Sequence, residues 1–152
     1  MLIFVGKEID SYLGLQNLFP EPANVIFGFL LIIVGWPFAI WSVYIQYKIG
    51  KGTPVPTVPP KRLITSGPYK YCRNPMALGI LLFYLGLSVI FNTVSALFIQ
   101  TLLVLIPWLV FVKIVEEKEL EIRFGHEYLE YKKRTPFLIP ISKSKEKGEE
   151  DF

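Results

Sequence analysis

The sequence predicts an all-α integral membrane protein: a helical bundle with about three transmembrane helices, an N-terminal interfacial segment and a cytoplasmic C-terminal helical cap. Three observations lead to this prediction. Two long stretches of the 152-residue chain have no charged residue, basic residues cluster in one loop and in the C-terminal part, and helix start and stop signals follow the last apolar stretch. Charged residues make up 19% of the chain, against about 25% in a typical soluble domain. The low charge therefore agrees with helices that lie in lipid.

The first span is predicted over residues 23–47. No charged residue occurs from Pro22 to Tyr47, and about 20 apolar residues suffice to cross the hydrocarbon core. Pro37 lies inside this stretch, where neighbouring helices can satisfy the backbone carbonyl that it frees. A soluble, fully buried helical core is the alternative, but a charge-free run longer than about 18 residues favours a membrane span.

A second charge-free stretch runs from Asn74 to Val112 and is about twice the length of one span. Its most polar point is Phe91-Asn92-Thr93, which is suited to a turn. We therefore predict two further spans, over residues 75–91 and 94–112, joined by a tight hairpin. Asn74-Pro75 is a good helix start, because Asn is a favoured N-cap and Pro is favoured in the first helical position.

The segment Met1–Phe19 is too short and too polar to span, since it contains Lys7, Glu8 and Asp10. It also lacks the basic start of a signal peptide. An interfacial segment or a short helix on the membrane surface fits it better.

The distribution of basic residues predicts the orientation. Lys48–Arg73 carries six basic residues and no acid, the hairpin at Asn92 carries none, and nine basic residues lie from Lys113 onward. Basic residues favour the cytoplasmic side, so we expect a multi-pass protein with its N-terminus outside, its C-terminus inside and its active site facing the cytoplasm. The net charge of +3 is too small to indicate nucleic-acid binding.

The residues after the third span predict the cytoplasmic cap, residues 113–141. Helix can continue to Phe124, Gly125 is a natural stop, and a short helix HEYLEYKKR follows and ends before Pro136. Residues 1–141 are predicted to form one domain. Residues 142–152 read as a disordered charged tail, and the prolines of Gly50–Pro60 favour an extended path.

Several side chains allow either a functional or a structural interpretation. Arg73 beside the helix start at Asn74 could bind a carboxylate or phosphate, or could merely snorkel next to a capped helix. Glu116-Glu117 at the membrane surface could face a cation or a wet cavity, or could form a solvated helix face. Structural roles are favoured for Cys72 and for His126, and no metal site is predicted. A single cysteine excludes an intrachain disulfide.

Two segments, GPYKYCRNPMALG and EEKELEIRFGHEYLEYKKRTPFLIP, resemble the isoprenylcysteine carboxyl methyltransferase family. The family pattern is G-x-Y-x-x-x-R-H/N-P-x-x-x-G, then E-E-x-x-L-x-x-x-F-G-x-x-Y-x-x-Y, and a Pro-containing end. The lead-in GTPVP…PPKRLITSGPY is similar to the bacterial and archaeal branch. The resemblance extends over about residues 27–140, and phospholipid N-methyltransferases share the double acid and the overall plan.

The resemblance implies a site for S-adenosyl-L-methionine, with S-adenosyl-L-homocysteine as product, on the cytoplasmic side between membrane helices. By similarity, Arg73, Glu116 and Glu117 are the implied catalytic residues, and one of the two acids should take the donor's ammonium. The implied donor-binding residues are Tyr69, Tyr71, Arg73, Asn74, Pro75, Gly79, Glu116, Glu117, Tyr128 and Tyr131. Eukaryotic prenylcysteine-specific members have an arginine about four residues before the first Glu, where this chain has Val112.

The function that the resemblance implies is methyl transfer to a lipophilic acceptor that enters from the bilayer, with carboxyl O-methylation of an isoprenylcysteine-like substrate as the nearest activity. The partners would be a lipophilic or lipidated substrate and membrane lipid, and the sequence leaves the oligomeric state open. One alternative is methylation of a phospholipid amine or a small thiol. Another is a non-catalytic membrane scaffold.

Overall fold

The computed structural model describes residues 1–17, 19–51 and 60–140. Within these ranges every regular element is helical and no strand occurs, which confirms the all-α prediction. The helices are α1 (Leu2–Leu13), α2 (Ala23–Gly50), α3 (Pro75–Ile90), α4 (Val94–Phe124) and α5 (His126–Arg134). The central part of the predicted extended loop and the predicted disordered tail lie outside the described residues.

Two helices contain π turns, in which one extra residue enters a turn of the helix. Helix α2 is α-helical over Ala23–Ile45 and ends in a π turn, Gln46–Gly50. Helix α4 contains π turns at Gln100–Leu105 and Val112–Glu116. A short 3-10 turn, Gly67–Lys70, precedes α3.

Of the described helices, α2 and α4 are both long and apolar enough to cross a membrane. Their most apolar windows have a mean hydropathy of 2.2, yet only 22% and 17% of those windows is buried inside the protein. Large apolar side chains such as Ile33 and Leu103 therefore point away from the bundle, as expected where lipid covers the surface. Helix α3 is equally apolar but has only 16 residues.

Helices α2 and α3 pack antiparallel through two pairs of glycines. Gly28 lies against the carbonyl oxygen of Gly86, and Gly35 lies against that of Gly79; a methyl group built on any of these four would come within 2.7 Å of its neighbour. Small residues at a helix interface let the two backbones approach closely, which is how helices associate in lipid.

The N-terminal residues are joined to the hairpin between α3 and α4. The Asn92 side chain accepts a hydrogen bond from the Phe19 backbone N–H and donates one to the Phe19 carbonyl, at 3.1 and 3.0 Å. Asp10 accepts a 2.9 Å hydrogen bond from the backbone N–H of Ser95 and so caps the start of α4. Helix α1 is thus the predicted short helix, and it packs on α4.

Candidate functional site

A cavity of about 330 Å³ lies where the start of α3 meets the end of α4, helix α5 and the segment before α3. Its wall toward the apolar part of the bundle is built by Trp108, Phe111, Val112 and Val115 of α4. Charged side chains and tyrosines form a polar wall, to which α4 also contributes Glu116 and Glu117. The volume falls in the range of small-molecule sites, about 300–1,000 Å³.

Most of the residues that the sequence analysis singled out meet at this cavity. Its lining includes Tyr69, Arg73, Asn74, Pro75, Glu116, Glu117, Tyr128 and Tyr131. The two exceptions are Tyr71, whose residue surface is 53% exposed, and Gly79, which packs on Gly35 and Ala39 of α2. Ligand contacts for these two residues stay predictions, and the structure gives Gly79 a helix-packing role.

The centre of the polar wall is a buried ion pair. Arg73 Nη1 and Glu117 Oε1 are 2.5 Å apart, and only 11% and 4% of the two side chains is exposed. Lys132 of α5 reaches the other carboxylate oxygen of Glu117, at 3.2 Å, and also contacts Glu121 at 2.5 Å. Buried charges are costly unless they are paired. These ion pairs therefore hold the start of α3, helix α4 and helix α5 together at this point.

The Arg73–Glu117 contact is close, but its orientation is not that of a hydrogen bond. Among the described residues, Nε and Nη1 of Arg73 and both oxygens of Glu117 lack a hydrogen-bond partner, although they are buried. The guanidinium carries five N–H groups, so a contact with one carboxylate does not use its full donor capacity.

The segment after α5 covers the start of α3. The backbone N–H groups of Arg73 and Asn74 donate to the carbonyl oxygens of Pro136 and Phe137, at 2.9 and 3.1 Å. The Asn74 side chain also donates to Phe137 and makes no cap hydrogen bond in α3. The helix starts at Asn74-Pro75 as predicted, but these two N–H groups bind the chain itself instead of an anion.

Three tyrosines build the aromatic part of the wall. The Tyr131 hydroxyl donates to the Tyr69 carbonyl oxygen at 2.7 Å, and the Tyr69 hydroxyl donates to Gln46 Oε1 at 3.3 Å. Burial, together with the charge of Glu117, raises the pKa of the Tyr128 hydroxyl to about 12, although the charge of Arg73 and a hydrogen bond with it oppose the rise. Burial also raises the pKa of Tyr69 and of Tyr131. All three hydroxyls are therefore neutral donors at physiological pH.

The surroundings of Cys72 and His126 do not favour a catalytic role for either side chain. Cys72 is fully buried, and burial raises its pKa to about 11 while a hydrogen bond from the Asn74 backbone opposes the rise, so its thiol is a poor nucleophile near neutral pH. The side chain of His126 is 87% exposed and lies 3.9 Å from Glu130 on the same helix. Glu130 binds Lys133 at 2.9 Å. No cluster that could hold a metal ion occurs in the described residues.

Sequence reasoning missed Lys132, Gln46, Trp108 and Phe137. One signal could have found Lys132: it lies four residues after Tyr128, so both side chains share a face of α5. The other three are brought to the cavity by tertiary packing and have no local pattern that marks them.

Comparisons with known proteins agree on one family. The family model "Phospholipid methyltransferase" matches residues 23–127. The protein-S-isoprenylcysteine O-methyltransferase of Rattus norvegicus is 35% identical over 88 residues, which is 57% of this chain and 30% of that protein. That of Mus musculus is 36% identical over 83 residues, 53% of this chain and 28% of that protein. The match thus covers less than a third of these relatives' length. No solved structure matches this chain.

Proposed function

The chain belongs to the phospholipid methyltransferase family, and from that premise we propose that it is a membrane methyltransferase that uses S-adenosyl-L-methionine. The observation that carries the proposal is the cavity with a mixed lining. Its polar part includes Arg73, three glutamates and three tyrosines, and its apolar part belongs to α4, which is long and apolar enough to cross a membrane. A charged nucleotide and a lipophilic acceptor each find matching side chains there.

The residues present fit the donor. Arg73, which lines the cavity, suits its carboxylate, and a carboxylate of the Glu116-Glu117 pair suits its ammonium. Tyr69, Tyr128 and Tyr131 offer ring faces and hydroxyl donors for the adenosine. When bound, the donor supplies an electrophilic methyl group on a sulfonium, which an acceptor displaces in line.

The protein's own contribution would be alignment and exclusion of water. The ion pair at Glu117 and the hydrogen bonds of the Tyr131 hydroxyl and the Asn74 side chain fix the polar wall before any ligand arrives. The apolar side chains of Trp108, Phe111 and Val115 keep water away from the reacting centre. Alignment of the reacting groups can supply up to about 7–11 kcal/mol in the best intramolecular cases.

For the acceptor we propose a lipophilic carboxylate of the isoprenylcysteine type, because the relatives quoted above bear that name. Val112 is apolar and offers no charge to such a carboxylate. Arg62 also lines the cavity and is a candidate cation, whereas Arg123 is paired with Glu119 at 2.6 Å. The family name supports a second acceptor, a phospholipid amine, which would have to lose a proton before it is methylated.

We propose three spans, 23–47, 75–91 and 94–112, with the cavity and the cap 113–141 on the cytoplasmic side. Residues 1–141 then form one domain. The basic loop and α5 lie at the same end of the bundle, since Arg73 contacts Glu117 and Pro136. A single cytoplasmic side for all of these residues agrees with the distribution of positive charge.

Two measurements on the purified protein in detergent or nanodiscs test this proposal. Calorimetry with S-adenosylhomocysteine should show binding, and its absence at millimolar ligand would favour a non-catalytic scaffold. Transfer of a labelled methyl group from S-adenosylmethionine should then give a base-labile methyl ester with a prenylcysteine acceptor. A base-stable product on a phospholipid amine or on a small thiol would replace this acceptor class and keep the enzyme class.

A further inference from the structure

The two adjacent glutamates have different surroundings, and this difference deepens the proposed function, on which the following inference rests. We propose that Glu117 is a positioning residue, held between Arg73 and Lys132, and that Glu116 is the carboxylate that binds the donor's ammonium. Sequence similarity alone does not say which of Glu116 and Glu117 binds the ammonium. The structure separates the two side chains by burial, by partners and by the helix face that each occupies.

Glu117 is already neutralised by the protein. Arg73 lies 2.5 Å from one of its oxygens and Lys132 lies 3.2 Å from the other, and the carboxylate side chain is only 4% exposed. A ligand ammonium that took the place of Arg73 would leave a buried cation without its partner, and one that took the place of Lys132 would leave that lysine with Glu121 alone. Removing one partner from a buried ion pair is strongly unfavourable. Glu117 is therefore poorly placed to receive a further cation.

Glu116 has the opposite character. It is half-buried, it lines the cavity, and none of the ion pairs among the described residues includes it. Its neighbour Glu119 is paired with Arg123 at 2.6 Å. A carboxylate that is half-withdrawn from water and has no cation gains most from a cationic ligand.

The geometry of α4 agrees with this division. Apart from Glu117, the cavity-lining residues of α4 follow one continuous helix face with spacings of three, one, three and one residues, as shown by Trp108, Phe111, Val112, Val115, Glu116, Glu119, Leu120, Arg123 and Phe124. Glu117 stands outside this series. The π turn ends at Glu116, and α-helix resumes at Glu117, which turns toward α3 and α5.

Lys132 is the residue that makes the division possible. It is 36% exposed and joins Glu117 to Glu121, so two acids and two bases, including Arg73, balance one another. If Lys132 were absent, one oxygen of Glu117 would lack a cation, and the carboxylate would no longer be held in place between two cations. Lys132 thus acts through Glu117 and does not itself contact the donor.

The experiment compares two ligands, S-adenosylhomocysteine and its analogue in which hydrogen replaces the α-amino group, by calorimetry on the full chain. For the wild type we expect the amino-bearing ligand to bind about 10- to 100-fold more tightly, as for one charge-assisted hydrogen bond. Glu116→Gln should reduce this preference to about threefold or less. Glu117→Gln should weaken both ligands and keep the preference.

Lys132 is tested with a matched set of variants. Lys132→Met should weaken both ligands, and Lys132→Arg should restore wild-type affinity because it keeps the cation. Lys133→Met is the control, since Lys133 is 75% exposed and pairs with Glu130 instead. A Lys132 variant tests the assignment even where Glu117→Gln does not fold.

Three outcomes would overturn the assignment. The first is a preference lost in Glu117→Gln and kept in Glu116→Gln. The second is a preference kept in both glutamate variants, and the third is wild-type affinity in Lys132→Met. If the wild type binds neither ligand, the proposed donor is wrong, and the roles given to the two glutamates are wrong with it. If the wild type binds both ligands and one of these three outcomes occurs, only the roles of the glutamates and of Lys132 are wrong.

Discussion

The hydroxyl of Tyr131 shows how one polar group holds the aromatic wall in place. It is buried and donates a 2.7 Å hydrogen bond to the carbonyl oxygen of Tyr69. Tyr131→Phe would leave that carbonyl without its donor, and a buried unsatisfied group costs about 1–3 kcal/mol. We expect a loss of that size in the free energy of unfolding, measured by denaturant titration in detergent. Tyr12→Phe is the control because Tyr12 is 90% exposed; equal stability of both variants would contradict the assigned hydrogen bond.

The thiol of Cys72 gives a pH dependence with a definite sign. Burial raises its pKa from 9.0 to about 11, so the folded protein holds this proton more tightly than the unfolded chain does. The stability that this proton confers is fully present below pH 9 and is lost as the pH rises through about 11. One proton corresponds to a slope of about 1.4 kcal/mol per pH unit within this window.

Cys72→Ala should remove that slope, and the measurement is the difference between the two curves of unfolding free energy against pH. Tyr69, Tyr128 and Tyr131 are present in both proteins, so the effect of burial on their pKa values cancels in the difference. Parallel curves between pH 9 and 11 would show that the thiol is not buried as described.

The contact between α2 and α3 depends on the glycine pairs rather than on large apolar side chains. A methyl group on Gly35 would lie 2.6 Å from Leu82 Cβ and 2.7 Å from the Gly79 carbonyl oxygen. Gly35→Leu must therefore push the helices apart, and overpacking of this kind costs about 1–3 kcal/mol. Unfolding in detergent should show this loss. Val34→Leu adds bulk one residue away on a side chain that is 60% exposed and should have no effect; the idea of close backbone packing fails if the two variants behave alike.

Helix boundaries could be predicted where local chemistry marks them. Asn74-Pro75 begins α3, Gly125 separates α4 from α5, and Pro136 follows the end of α5. The contacts that shape the site could not be predicted in this way. Lys132 reaches Glu117 across a helix break, and the carbonyl of Phe137 binds Asn74 63 residues earlier in the chain. Such pairs depend on how the helices are arranged, for which one sequence carries no periodic signal.

The two ends of the helical bundle are chemically different. One end holds Phe19 and Asn92, and the other holds Arg73 and Glu117. Helix α3 connects these ends and runs antiparallel to α2 along the glycine pairs. Its 16 residues give a helix length of about 24 Å, which is less than the thickness of the hydrocarbon core, about 30 Å. In the proposed three-span arrangement, local thinning of the bilayer would accommodate this short helix.

The number of crossings can be measured from outside the membrane. With three crossings, Tyr12 of α1 and Lys133 of α5 lie on opposite sides, whereas two crossings would put both on the same side. Both side chains are well exposed, at 90% for the Tyr12 residue and 75% for the Lys133 side chain. In a Cys72→Ala background, which removes the only cysteine, an impermeant maleimide should label Tyr12→Cys in intact cells and Lys133→Cys only in inverted vesicles. Labelling of both variants in the same preparation would mean that α3 does not cross the membrane. The basic loop and α5 would then have to be separated by the membrane, which the contact of Arg73 with Glu117 does not allow; the three-span arrangement and the site therefore stand or fall together.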